Sequence, residues 1–166
     1  MPRRTTAGYT LCATLGLALL GGAHAHAAPA RIAVADIAFT DSSGEARDQA
    51  GEHAARQRAL TEGLRREVAQ AGQLESVALA CEADCTLDAA GVEQLRQRAR
   101  AAGAAFVLVG KVHKMSTLVM SMRFAVLDTA TGQLVLERLL SFRGDNDEGW
   151  RHAGDYAARE VTAAVR

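Results

Sequence analysis

The chain has 166 residues, 49% hydrophobic and 4% aromatic, and its 19 basic and 19 acidic side chains cancel to a formal net charge of zero. That balance argues against a nucleic-acid partner and offers no polybasic patch for a membrane surface. The length suits one domain built on one core.

The first residues read as a secretory leader. Arg3 and Arg4 make a short basic start, Leu11 to Gly22 is apolar and small, and Ala25-His26-Ala27 supplies a small-x-small cleavage pattern. Cleavage is expected before Ala28, with a cut after Ala25 as the alternative. The expected division is a signal peptide over 1–27 and one domain over 28–166. The apolar core of about 12 residues falls short of the roughly 20 a helix needs to cross a bilayer. No integral membrane span is therefore expected after cleavage.

Arg31 to Phe39 forms an apolar first strand, followed by a loop, Thr40-Asp41-Ser42-Ser43-Gly44, of residues that hydrogen-bond their own backbone. Asp48 to Ala71 is rich in helix formers, with Leu60, Leu64 and Val68 as the buried stripe. A short second strand follows, ending at Leu79. Cys81 and Cys85 then close a small loop. An even pair this close in an oxidising compartment reads as a disulfide, and no histidine stands near enough to complete a metal site. Asp88 is placed to cap a second helix whose stripe is Val92, Leu95, Ala99 and Ala102.

Three strands come next. Ala105 to Gly110 is continuously apolar. Met120, Met122, Phe124 and Val126 alternate with Ser121, Arg123 and Ala125. After the turn Asp128-Thr129-Ala130-Thr131-Gly132, Leu134, Leu136, Leu140 and Phe142 alternate with Val135, Glu137, Leu139 and Ser141. A final helix carries Trp150, Ala153, Ala157, Val161 and Ala164 on one face. The order β-α-β-α-β-β-β-α implies a three-layer α/β fold. Its five-stranded mixed sheet has the order 2-1-3-4-5, strand 4 antiparallel and helices on both faces, as in anticodon-binding-like domains.

The reversal between strands 1 and 3 makes a crevice at their carboxyl ends. Asp41, Ser42 and Ser43 would line it from one side, and Lys111, His113 and Lys114 from the other, as a site for a polar ligand. The acidic turn Asp145-Asn146-Asp147-Glu148 lacks the ligand pattern of a calcium loop. It has two readings. In one, Asp145 or Asn146 caps the last helix and Trp150 packs that helix on the sheet. In the other, Trp150 and Asp147 form a partner surface. Serine-hydrolase, zinc-protease, phosphate-loop and dinucleotide motifs are absent, so the residues point to no catalytic centre, no metal and no cofactor.

The opening RIAVADIAFTDSSGE resembles the amino-terminal domain of the Tol-system β-propeller protein and curli-secretion-type lipoproteins. The block from Gly103 to Tyr156, with its Gly-Asp-x-Asp-Glu-x-Trp segment at Gly144, Asp145, Asp147, Glu148 and Trp150, resembles a family of uncharacterised secreted proteobacterial proteins. The resemblance implies the same five-stranded mixed sheet and a role in envelope complexes. The expectation is a periplasmic, non-enzymatic accessory module that binds another envelope protein. The alternative is a small-molecule sensor or carrier using the crevice.

Overall fold

A computed structural model describes residues 29–71, 74–81 and 85–165; the expected leader over 1–27 lies outside them. Nine elements follow in order: β1 (Ala30–Ala35), β2 (Ala38–Asp41), α1 (Ala50–Gln70), β3 (Leu74–Leu79), α2 (Ala89–Ala101), β4 (Phe106–Lys114), β5 (Val119–Asp128), β6 (Leu134–Arg143) and α3 (Asp147–Ala164). The sheet runs β3-β1-β4-β5-β6. β1 is parallel to β3 and β4, and the β4-β5-β6 meander is antiparallel. No helix among the described residues is long and apolar enough to cross a membrane.

The expected mixed α/β sheet is present, with six strands rather than five. The predicted strand Arg31–Phe39 breaks after Ala35 and resumes as β2, which also pairs with β4. Between the pairs Val34↔Leu108 and Ala38↔Lys111, the first segment advances four residues while β4 advances three. The extra residue is accommodated at Asp36–Ile37. The Asp36 carboxylate accepts from Arg65 (2.8 Å) and from the Cys81 backbone (3.1 Å), and the Ile37 amide donates to Thr61 Oγ1 (3.1 Å). An inserted residue reverses the pleat. Even-numbered Ile32 and Val34 therefore share one core with odd-numbered Ile37 and Phe39.

That main core lies between the sheet and the pair α1 and α3. It holds Leu64, Val68, Leu108, Val112, Met122, Phe124, Trp150 and Val161. The opposite face is covered by α2 alone, which starts with the Asp88 side chain accepting from the Gly91 amide at 2.7 Å. Its core is thin and built of small residues: Ala33, Ala35, Ala99 and Ala104 with Leu95, Val107 and Val109. Cys81 and Cys85 are joined in a disulfide, with 5.5 Å between their Cα atoms, beside this layer.

A second irregularity lies at the β5–β6 hairpin. Asp128 closes the turn by accepting from the amides of Ala130 (2.9 Å) and Thr131 (2.8 Å). A register shift then sets Val126 against Leu136 but Leu127 against Leu134. Directly opposed residues share a face, so Leu134 joins Leu127 on the α2 side. The expected alignment of Leu134 with Leu136 and Leu140 does not form.

Candidate functional site

The segment Gly144–Trp150 is organised by one carboxylate. Asp145 Oδ2 accepts from His53 Nε2 (2.7 Å) and Lys114 Nζ (3.0 Å), and its Oδ1 accepts from Arg56 (3.1 Å) and the Trp150 indole (3.2 Å). Only 6% of the Asp145 side chain is exposed, and Lys114 is fully buried. Lys114 also donates to Glu45 and Gln49 and lies 3.7 Å from Asp41. Four parts of the chain meet here: the end of β4, the loop before α1, the first turns of α1 and the entry to α3. The loop must be tight to deliver Asp145. Gly144 has φ +89°, and a Cβ on Gly149 would lie 2.4 Å from the Gly144 carbonyl oxygen.

Of the two expected caps, Asn146 serves, accepting from the Gly149 amide at 2.9 Å. Asp145 is freed for the buried cluster. Trp150, the other half of the expected partner surface, is 2% exposed and packs on Phe39 with ring centroids 5.5 Å apart. Asp147 stays at the surface, paired with Arg56 at 2.9 Å. Trp150 thus offers little surface to a partner, and the geometry fits the packing role.

Burial alone would raise the Asp145 carboxyl, but hydrogen bonds from His53, Lys114 and Trp150 outweigh it and hold the pKa at about 2. Burial pulls Lys114 the other way, and its contacts with Glu45 and Asp145 reverse this, raising it above the ordinary lysine value. A carboxylate depressed in the folded state contributes stability that is complete above its ordinary value of 3.8 and is lost as pH falls through the folded value. The urea midpoint is therefore expected to hold near neutrality and fall between about pH 4 and about pH 2. A midpoint independent of pH across that interval would contradict the cluster.

The six residues expected to line a crevice meet in pairs rather than around one opening: Asp41 lies 3.7 Å from Lys114, and Ser42 reaches His113. β2 occupies the space beside the carboxyl end of β4, pairing Ala38–Asp41 with Lys111–Lys114. Lys114 turns into the α1/α3 side. The Asp41 carboxylate accepts from the Ser43 amide (2.8 Å) within its own loop, and Ser43 Oγ lies 3.4 Å from the Glu45 amide. Ser42 Oγ is hydrogen-bonded to His113 Nε2 at 2.7 Å. Lys111 and His113 point to the opposite face from Lys114, as alternation along β4 requires.

That opposite face carries what the sequence reading missed. α2 covers β3, β1 and part of β4, leaving β5 and β6 open on this side. An open trough of about 1330 Å³ results. Its floor includes Lys111, His113, Ser121 and Arg123; Leu87 and Val92 line the α2 wall, and Leu134 and Leu139 the far side. Lys111 and Arg123 stand directly opposite each other on neighbouring strands. Like charges so placed repel. Glu137 relieves Arg123 at 3.7 Å. The signal in the sequence was length: α2 has 13 residues against 21 in α1 and 18 in α3. One short helix cannot cover a sheet face that two longer ones are needed to cover on the other side.

Residues 30–161 match the model of the DUF3280 family, described as "Protein of unknown function (DUF2380)". A search of curated proteins finds no match. Among solved structures, TolB from Acinetobacter baumannii aligns with a TM-score of 0.53 at 17% identity, over 84% of this chain and 29% of TolB. This chain thus corresponds to under a third of TolB. The PelC dodecamer from Paraburkholderia phytofirmans aligns with a TM-score of 0.53 at 16% identity, over 83% of this chain and 89% of PelC. The C-terminal domain of LpoB from Salmonella enterica aligns with a TM-score of 0.50 at 14% identity, over 73% of this chain and 87% of that domain. At these identities the likeness is one of fold.

Proposed function

The chain belongs to the DUF3280 family, and from that premise we propose that it is a non-enzymatic binding module of the bacterial envelope that receives another envelope protein on the trough face. The observation that carries this reading is the shape of that face. A trough of about 1330 Å³ exceeds the roughly 300–1,000 Å³ of enclosed small-molecule pockets, and it is open along the sheet. It suits an extended segment of a protein better than an enclosed metabolite. The lining sets Lys111 and Arg123 beside Asp36, Asp88 and Glu137, so the partner segment would bring an acidic side chain to Lys111, with apolar contacts to Leu134 and Leu139. The exposed large apolar residues among the described ones all fall in the segment 115–139: Met115, Leu118, Val119, Leu134, Val135 and Leu139. Of these, Leu134 and Leu139 line the trough, whereas Met115, Leu118 and Val119 lie at the far end of β5.

Two further features support an envelope location: the Cys81–Cys85 disulfide, of a kind that persists in oxidising compartments, and the leader-like start of the sequence.

Crosslinking capture from the periplasm tests the proposal. Wild-type protein is expected to retain a protein partner, and the floor variant Lys111→Glu/Ser121→Glu to lose it while keeping its urea midpoint. Thermal stabilisation by a small metabolite, with no protein captured, would overturn the reading in favour of a sensor or carrier.

A further inference from the structure

The trough is a face of the sheet; the free edge of the sheet is a separate feature. β6 is ten residues long and, among the described residues, pairs only with β5. Its outer side presents unpaired backbone groups. The Arg138 guanidinium folds back to donate to the Glu137 carbonyl at 3.0 Å, a side chain standing where a neighbouring strand would donate. Long, apolar edges of this kind are templates for strand addition.

We infer that the occupant of this edge is the β6 strand of a second copy, added antiparallel about a two-fold axis normal to the sheet and midway between the two copies of Leu140. The choice of partner and register comes from the side chains. Opposed residues must share a face, so an antiparallel self-pairing can be centred only on a residue. Centring on Glu137 or Arg138 sets each charge against its own copy, which repels. Centring on Leu139 sets Arg143 against Val135 and leaves Glu137 opposite Ser141, with no charge paired across the axis. Centring on Leu140 sets Glu137 of one copy opposite Arg143 of the other, twice, and on the trough side.

The same register accounts for the apolar residues. Leu140 meets its own copy on the α3 side, where it already packs against the main core with Phe142. Leu139, 64% exposed, sits diagonal to its own copy, within reach for long side chains in a ladder. Such an isologous contact closes at two copies. An axis normal to the sheet keeps the two troughs on one side, so the dimer would offer two parallel binding faces. The dimer is argued from the strand edge, and Glu137 and Leu139 belong both to it and to the trough lining.

Analytical ultracentrifugation of the full mature chain tests this. The wild type is expected to sediment as a dimer at micromolar concentration. Glu137→Arg, which places arginine against Arg143, is expected to be monomeric. Glu137→Arg/Arg143→Glu, which restores opposite charges in swapped positions, is expected to be dimeric again. Leu140→Cys is expected to form a covalent dimer under mild oxidation, whereas Leu139→Cys is not. A monomeric wild type, a species larger than a dimer, failure of the swap to restore association, or crosslinking at Leu139 instead of Leu140 would each overturn the proposed pairing.

Discussion

Replacing Asp145 by alanine is expected to lower the unfolding free energy by about 3–5 kcal/mol, the cost of breaking a buried ion pair by removing one partner. The magnitude follows from what is left behind. Lys114 is fully buried, and its other neighbours, Glu45, Gln49 and Asp41, cannot serve His53, Arg56 and the Trp150 indole as well. Four donors aimed at one carboxylate would lose their common acceptor. Asp145→Asn, which keeps the shape and one acceptor oxygen, is expected to recover part of the loss and to flatten the fall in stability below about pH 4. Urea unfolding of the three proteins measures both effects. An alanine variant within about 0.5 kcal/mol of wild type, the range of ordinary surface substitutions, would show that the cluster contributes nothing to folding.

Replacing Trp150 by alanine is expected to cost about 3–5 kcal/mol, the usual loss when a buried aromatic is emptied. Trp150 is the first large side chain of α3, it seals the main core against Phe39, and the Phe39 ring in turn lies 4.6 Å from the His53 ring. The cavity would therefore open beside the charge cluster and admit water to it. Trp150→Phe keeps part of the ring packing while removing the indole N–H to Asp145 and the volume of the second ring, and should cost less than Trp150→Ala. A urea midpoint for Trp150→Ala equal to that of wild type would return the residue to the role of a partner anchor.

Much of the architecture could be read from residue pattern, because periodicity reports which face of an element is buried. Met120, Met122, Phe124 and Val126 alternate in sequence and lie in one core. Leu60, Leu64 and Val68 recur at helical spacing and face that same core. What escaped were the two places where a strand holds one residue more than its partner. At Asp36–Ile37 the insertion reverses the pleat, and near Val135 it sends Leu134 to the opposite face; periodicity assumes an unbroken register and cannot detect either. The site was less legible for a related reason. Lys111, His113 and Lys114 are neighbours in sequence, yet alternation along β4 parts Lys114 from the other two, and β2 fills the crevice they were expected to share. The partners of Asp145 come from α1, β4 and α3, so no local string announces them. The trough is an absence of cover, visible only in the shortness of α2.

The central position of β1 also bears on how the chain reaches its fold. β1 is the first element formed by the described residues, yet both its neighbours come later: Ala30 pairs with Leu74, and Ile32 with Phe106. The β4-β5-β6 meander is held by contacts between successive strands and can assemble early, whereas β1 must wait until most of the chain is present. Loop-closure entropy makes such distant parallel pairing slow. A chain delivered amino end first would thus carry an apolar, unpaired strand until β3 arrives, and one with an open edge until β4 does. The helix α1, which follows directly and packs on that strand through Leu64 and Val68, is the natural temporary cover. In refolding, substitutions in the meander should slow folding, while those at the β1–β3 junction should act mainly on unfolding.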